Sequence, residues 1–243
     1  MNAMRVVLGF AMLTALPAWA QKVDQIQTLA QREFRLLSED LGAVLSYRPQ
    51  IPTTPLGITG FDIGVGVSAV KIKNLDVLER ATSDSVSSTV LVPTIRVHKG
   101  LPWGIDVGAI YAKIPGSNIT YSGAELRYAL VQGNLATPAI GLRGNFTRLG
   151  GVDQLRVDTY GVDLSISKGF TIATPYAGIG RVWVASDPRG SAAAAPVSLR
   201  SESFAMNKFF VGLGLNFGLF NVNFEADRTG DVTGYSGKIS LRF

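Results

Sequence analysis

The sequence predicts an all-β fold, a transmembrane antiparallel β-barrel of about ten strands, preceded by one amphipathic α-helix. Apolar residues alternate with polar residues or glycine along most of the chain after residue 57, and many of these segments are about ten residues long. Such alternation places successive side chains on opposite faces of a strand, and ten residues suffice for a tilted strand to cross a bilayer. Before residue 50 the apolar spacing is instead helical.

The composition disfavours several other classes of protein. Of the 243 residues, 47% are hydrophobic and only 17% are charged, whereas about a quarter of a typical soluble domain is charged. The absence of cysteine excludes disulfides, thiolate metal sites and a cysteine nucleophile. The net charge of +5 comes from scattered basic residues, which argues against nucleic acid as a partner. No cofactor is expected.

Residues 1–20 have the pattern of a secretory signal peptide. Arg5 supplies the positive start, residues 6–16 form the apolar stretch, and Ala18-Trp19-Ala20 is a small-x-small cleavage site. The apolar stretch is too short to cross a bilayer as a helix, which disfavours the alternative of a membrane-anchoring first helix. We therefore expect cleavage after Ala20 and export of the mature chain.

Residues 21–47 predict an amphipathic helix, because apolar side chains recur at three- and four-residue spacing. These are Val23, Ile26, Ala30, Phe34, Leu37, Leu41 and Val44. Pro49, Pro52 and Pro55 then predict a stiff, extended linker over residues 48–57. The apolar stripe must be buried against the barrel lumen, the periplasmic rim, a partner or a second copy. We expect the rim or the lumen.

Residues 58–243 predict the barrel. The proposed strands lie near 58–67, 89–98, 104–113, 119–130, 138–148, 156–167, 171–185, 203–217, 219–228 and 232–243. Ten is an even number, as in single-chain bacterial barrels, and eight or twelve strands remain alternatives. The longer connections follow odd-numbered strands and the compact turns follow even-numbered ones, an asymmetry typical of outer-membrane barrels. Both chain ends are then expected on the short-turn, periplasmic side.

The last strand carries a specific pattern. Stepping back by twos from Phe243 gives Leu241, Ile239 and, further on, Tyr235. This pattern resembles the terminal strand of outer-membrane β-barrel proteins, and the whole chain resembles small, porin-like proteobacterial outer-membrane barrels. The resemblance implies location in the outer membrane of a Gram-negative bacterium, in contact with its lipid. It also implies recognition of the C-terminal strand by the barrel-assembly machinery.

The polar strand face is predicted to point into the lumen, because a basic side chain facing lipid at mid-membrane costs roughly 2–4 kcal/mol. The predicted lumenal charges are Asp62, Arg96, Asp106, Glu125, Arg127, Arg143, Asp163, Arg181, Lys208, Glu225, Asp227, Lys238 and Arg242. Glycines on the same face either free some volume or serve strand curvature and coiling. Candidates for interfacial aromatic girdles are Tyr111, Tyr121, Tyr128, Tyr160, Tyr176, Trp103 and Trp183.

Two functions follow from this lumen. The first is a narrow passive pore or transport-type barrel for ions or small solutes. The second is a closed structural or interaction barrel that acts through its loops or its N-terminal helix. His98, the only histidine, is expected at the periplasmic end with no catalytic or metal-binding partner nearby. An enzyme acting on envelope lipid or protein is therefore a distant third reading, and we expect the protein not to be an enzyme.

Overall fold

The computed structural model describes residues 23, 25–82, 87–134, 136–193 and 199–243. The predicted signal peptide, the cleavage site after Ala20 and helix positions 21, 22 and 24 lie outside the described residues. Ten antiparallel strands form one closed barrel, which confirms the predicted fold. They are β1 Phe61–Lys71, β2 Thr89–Gly100, β3 Ile105–Lys113, β4 Thr120–Val131, β5 Ala139–Gly150, β6 Leu155–Ser167, β7 Ala173–Pro188, β8 Glu202–Phe217, β9 Phe220–Thr229 and β10 Val232–Arg242.

The barrel closes through its first and last strands. Asp62 of β1 lies opposite Arg242 of β10, and Val70 lies opposite Gly234. The Phe61 N–H donates to the Phe243 carbonyl at 2.6 Å. Each of the other strand pairs joins neighbours in sequence. Closure of this up-and-down sheet leaves no edge strand free to pair with another chain.

The two ends of the barrel carry different connections. We call one the long-loop end, because it holds the connections 72–88 and 189–201, together with the shorter 114–119, 151–154 and 230–231. The opposite, short-turn end holds 101–104, 132–138, 168–172 and 218–219. The N-terminal helix α1 is Gln31–Leu45, and a second helix, α2 Leu75–Ala81, lies in the first long connection. No helix among the described residues is long and apolar enough to cross a membrane.

The outside of the barrel is apolar around its whole circumference. Each strand presents a large exposed apolar side chain, for example Val65, Ile95, Tyr111, Leu126, Leu142, Leu164, Ile179, Phe209, Phe224 and Ile239. Soluble proteins rarely expose apolar patches beyond a few hundred square ångströms, whereas a lipid-facing barrel requires such a band. The protein is a membrane-spanning β-barrel.

Exposed aromatic side chains lie toward both ends of this apolar band. Trp103 and Tyr128 are near the short-turn end, and Tyr111, Tyr160 and Trp183 are nearer the long-loop end. Two predicted girdle residues are placed differently, since Tyr121 and Tyr176 are buried inside the barrel. Both occupy inward positions of their strands, so neither contacts lipid.

The N-terminal segment runs through the lumen from the long-loop end to the short-turn end. At the long-loop end Val23 pairs with Thr82, beyond α2. In the middle of the barrel the Leu45 carbonyl accepts a hydrogen bond of 2.9 Å from Thr147 Oγ1. Residues 46–57 continue without regular secondary structure, and the Leu56 N–H donates to Asp106 at 3.0 Å near the start of β3. We call residues 25–60 the plug segment.

The plug segment revises two expectations. The helix covers residues 31–45, preceded by a 3-10 turn at Ile26–Thr28, rather than all of residues 21–47. The predicted linker, residues 48–57, has no regular secondary structure, and its residues 48–53 are buried in the lumen. The expectation that the N-terminal end lies on the short-turn side is also corrected, since the described chain enters the barrel at the long-loop end.

Candidate functional site

The half of the lumen nearer the long-loop end is apolar, and we call it the upper layer. Helix α1 contributes the buried side chains Phe34, Leu37 and Leu41. The barrel wall contributes inward-facing Val70, Val92, Ile110, Tyr121, Val157, Val182 and Val184. Each fully buried Leu or Phe stabilises the folded state by about 1.5–3 kcal/mol relative to exposure. The predicted division, apolar outside and polar inside, therefore does not hold here.

Helix α1 lies very close to strand β7. A Cβ atom built on Gly42 would lie 2.6 Å from Val184 Cγ2, so glycine is the residue that permits this approach. On the same helix, Ser38 Oγ and Ser186 Oγ are 2.8 Å apart and both are buried. Glycine inside a helix is destabilising by roughly 0.5–1 kcal/mol relative to alanine, so Gly42 has another purpose. Its role is to let the helix backbone pack against the wall.

The long first connection is fastened to the plug helix. The Asp40 carboxylate accepts hydrogen bonds from the Asn74 N–H at 2.8 Å and the Lys73 N–H at 3.4 Å. Asn74 is the residue before α2, so Asp40 satisfies backbone N–H groups just ahead of that helix. Arg80 of α2 forms an ion pair with Glu33 of α1. The plug helix α1 and helix α2 are therefore held together at the long-loop end.

The half nearer the short-turn end is polar, and we call it the lower layer. Arg48 is fully buried and pairs with Asp227 through Nε at 2.7 Å. Its other nitrogens donate to the Val44 carbonyl at 3.0 Å and the Ala43 carbonyl at 3.1 Å. A cation at the C-terminus of a helix is favoured by the unpaired carbonyls there. Arg48 thus ends α1 and attaches it to β9.

Other wall side chains bind the backbone of the extended part of the plug. Arg96 donates to the Arg48 carbonyl at 2.6 Å, Arg127 donates to the Pro52 carbonyl at 3.1 Å, and Lys208 donates to the Tyr47 carbonyl. In the opposite sense, the Gln50 N–H donates to Glu225 at 2.7 Å. A buried backbone without a sheet or helix partner must be satisfied in this way. The predicted lumenal charges therefore bind the plug segment.

Glycines of the wall make room for the plug. A Cβ atom on Gly66 would lie 2.8 Å from Gln50 Oε1, and one on Gly214 would lie 2.9 Å from Pro52 Cγ. The sequence left open whether inward glycines free space for a passage. In this structure the plug segment fills that space.

Two further groups of charges lie deepest, near the short-turn end. Asp62 is bound by Lys238 at 2.6 Å and by Arg242 at 3.0 Å. A few strands further along the wall, Glu125 lies 3.2 Å from Arg143, and Asp106 lies 2.6 Å from Arg127. Buried ions are tolerated when they are paired in this way, and removing one partner is strongly destabilising.

His98 connects the two groups. Its Nε2 lies 3.0 Å from Glu125 Oε1, and its Nδ1 lies 3.6 Å from Asp62 Oδ1. It lies at the short-turn end as expected, but the expectation that it lacks partners is wrong. Asp62 of β1 lies directly opposite His98 of β2, and Glu125 belongs to β4. The histidine is fully buried, and no three His, Asp or Glu side chains of the described residues are placed to hold a metal ion.

The other predicted lumenal charges lie inside the barrel, and Arg181 does not. Those inside are Asp62, Arg96, Asp106, Glu125, Arg127, Arg143, Asp163, Lys208, Glu225, Asp227, Lys238 and Arg242, the last of them partly exposed. On β7 the outward positions are Ile179, Arg181 and Trp183, while Val182 and Val184 point inward. The assignment of Arg181 to the lumen is therefore corrected, because the apolar upper layer takes the valines and leaves arginine on the lipid-facing side.

The plug segment contacts the lumen wall along its described length. The cavity lined by Thr53, Asp106, Arg143 and Ser165 holds only about 10 Å³, which is about the space of one water molecule. The residues predicted as the assembly signal, Tyr235, Ile239, Leu241 and Phe243, all lie exposed on the outer face near the barrel seam.

Similar solved structures are outer-membrane β-barrels. One is the N-terminal β-barrel domain of Pseudomonas aeruginosa OprF, with 11% identity over 77% of this chain and 99% of that chain, and a TM-score of 0.39. The KdgM porin, in complex with disordered oligogalacturonate, has 8% identity over 75% and 99% and a TM-score of 0.39. OprG from Pseudomonas aeruginosa has 12% identity over 81% and 99% and a TM-score of 0.37. No protein-family model and no curated protein sequence matches this chain.

Proposed function

We propose that this protein is a closed outer-membrane barrel that acts, without enzymatic activity, through the structured cap at its long-loop end. The observation that carries the proposal is the plug segment, which crosses the whole lumen and is bound at both layers. The cap consists of residues 25–30, helix α2 and the turn at Gly190–Ala192. Backbone bonds such as Gln25 N–H to the Ala81 carbonyl, 3.2 Å, tie these pieces together.

The orientation follows from the loops. In outer-membrane barrels the longer loops face the cell exterior, so the cap is the exposed surface of the protein. Export after cleavage behind Ala20, and assembly through the C-terminal strand ending at Phe243, are part of the proposal. The lipid-facing position of Tyr235, Ile239 and Leu241 supports recognition of that strand before the barrel closes.

Single-channel recording in planar bilayers tests closure. The refolded protein, verified by its heat-modifiable mobility in gel electrophoresis, is expected to show no steady conductance. A variant that loosens the plug, Arg48→Ala with Asp227→Ala, provides the comparison, because it removes the pair that holds α1 to β9. Stable openings of the unmodified protein at low voltage would overturn the closed-barrel proposal.

A second candidate is a pore that opens when the plug segment moves. It is favoured by the lower layer, where Arg96, Arg127 and Lys208 bind plug carbonyls that water could replace. With the plug displaced, these side chains and Glu225 would line a polar passage.

A reversible lock separates the two candidates. Thr53 Oγ1 and Ser165 Oγ are 3.0 Å apart, so cysteines at both positions are placed to form a disulfide. The chain has no other cysteine. A gated pore would conduct in the reduced protein and stop conducting on oxidation. The conductance of each single-cysteine variant would not change when the oxidant is added. Conductance that is absent in both states supports the closed barrel.

A further inference from the structure

The lipid-facing side of β6–β10 carries a groove that lies outside the lumen and has no part in binding the plug segment. Its volume is about 760 Å³. The strand register places Ile166, Ala177, Val211, Ala226 and Tyr235 side by side in one row across five strands. The two alanines form a low floor between larger apolar side chains. A second cavity of about 380 Å³ adjoins it and shares Leu164, Ile179 and Phe209 with it.

Two arginines lie at the end of this groove nearer the long-loop end. Arg228 lines the groove and lies opposite Phe209 of β8. Arg181 lines the adjoining cavity and lies opposite Asn207, one step nearer the long-loop end. From strand spacing and rise, the two Cα atoms are roughly 12 Å apart. Two arginine side chains can span this separation from opposite sides of one phosphate group.

The two arginines differ in the anions that the protein supplies to them. Arg181 is exposed and takes part in no ion pair or hydrogen bond with any described residue. Arg228 pairs at 3.3 Å with Asp231, whose carboxylate also binds Lys73. The hydrogen bond from Lys73 lowers the pKa of Asp231 and keeps it ionised. Lys73 and Arg228 thus share Asp231, and Arg181 has no anionic partner among the described residues.

The position of Arg181 favours a phosphate as its partner. Trp183 lies two residues nearer the long-loop end on the same outward face and stands opposite Tyr160. Exposed Trp and Tyr side chains mark the headgroup level of a membrane. Arg181 therefore lies at, or just below, that level on a surface that otherwise contacts acyl chains. An arginine there is stabilised by a lipid phosphate, which it binds through charge-assisted hydrogen bonds.

We propose that this groove binds a phosphate-bearing lipid of the surrounding leaflet, with acyl chain on Ala177 and Ala226 and phosphate between Arg181 and Arg228. The site is on the outer wall, so it does not depend on whether the lumen opens. The site is expected to recognise a lipid that carries both a phosphate and an acyl chain, and to bind either part alone weakly.

Matched ligands test this proposal on the full mature barrel in neutral detergent. Dimyristoylphosphatidic acid, dimyristoylglycerol and inorganic phosphate provide chain with phosphate, chain alone and phosphate alone. Trp183 lines the adjoining cavity and reports binding by fluorescence in a Trp103→Phe background, with lipid retention in native mass spectrometry as the second measurement. Phosphatidic acid is expected to bind at least tenfold more tightly than dimyristoylglycerol, and millimolar phosphate to displace it only partly.

Three variants complete the test. Arg181→Gln and Arg228→Gln are each expected to weaken phosphatidic acid binding about tenfold. Arg148→Gln, which removes an exposed arginine of β5 that pairs with Asp158 away from the groove, is expected to leave it unchanged. Ala226→Leu fills the groove floor and is expected to weaken binding without unfolding the barrel.

Several results would overturn the proposal. One is equal binding of phosphatidic acid and dimyristoylglycerol. Another is full displacement by inorganic phosphate, which would indicate a simple anion site. A third is an Ala226→Leu effect on oligomeric state instead of lipid binding, which would make the groove a contact between two copies of the chain.

Discussion

Arg48 Nε lies 2.7 Å from Asp227 Oδ1, in an ion pair that is shielded from solvent on both sides. The same guanidinium caps the last turn of α1, so one side chain joins the helix, the extended chain and the barrel wall. The attachment of the plug segment therefore depends strongly on this pair.

Removing one partner of the pair is expected to be costly. Asp227→Ala leaves the Arg48 charge buried without its anion, and such changes typically cost about 3–5 kcal/mol. Urea unfolding of the barrel in detergent, followed by tryptophan fluorescence, measures the loss. Glu39→Gln is the control, because it breaks the exposed Arg35–Glu39 pair and should cost less than about 1 kcal/mol. Similar small effects for both variants would contradict the role of Arg48.

The close approach of α1 to β7 predicts that a larger side chain at position 42 destabilises the protein. Gly42→Val inserts side-chain atoms where a Cβ would already be 2.6 Å from Val184. Overpacking of this kind costs about 1–3 kcal/mol. The double variant Gly42→Val with Val184→Ala should recover a large part of the loss in the same unfolding measurement. If the two substitutions are simply additive, the helix does not pack on β7 as described.

The direction of the plug segment predicts which end of the chain is outside the cell. Because the chain has no native cysteine, Thr28→Cys and Ala136→Cys are clean probes of the long-loop and short-turn ends, where both residues are exposed. A membrane-impermeant maleimide should label Thr28→Cys in intact cells and label Ala136→Cys only after permeabilisation. The reverse pattern would place the cap in the periplasm.

His98 is expected to stabilise the lower layer, with no catalytic part. His98→Ala leaves Asp62 and Glu125 without the group between them, which should cost about 1–3 kcal/mol of folding free energy. Envelope lipid composition, compared by mass spectrometry in cells expressing either form, should be the same. A lipid species that depends on His98 would support the enzyme reading instead.

The strand pattern was predictable because lipid imposes one rule on every outward position. Proposed strands 104–113 and 203–217 differ from the observed strands by one residue at most at each end, whereas 58–67 begins three and ends four residues before β1. The inward positions are polar, as predicted, only in the lower layer, where their side chains contact the plug backbone. There the alternation placed Asp106, Arg143 and Lys208 correctly.

The upper layer could not be predicted in the same way. Its inner wall is apolar, so β7 carries Val182 and Val184 on one face and Ile179 and Trp183 on the other. Alternation then no longer separates the two faces, and Arg181 was assigned inward on its charge alone. The sequence pattern also could not predict the direction of the plug segment. An amphipathic stripe shows that α1 is buried, but it does not show from which end of the barrel α1 enters the lumen.

A crosslink between Ser38→Cys and Ser186→Cys shows whether the plug segment enters from the long-loop end and fills the lumen. The native hydroxyl oxygens are 2.8 Å apart, near the long-loop end of β7. Mild oxidation of the folded protein in membranes should form this disulfide nearly completely, with the single-cysteine variants unchanged. A folded, heat-modifiable barrel in which the two cysteines stay reduced and both react with maleimide would contradict the account.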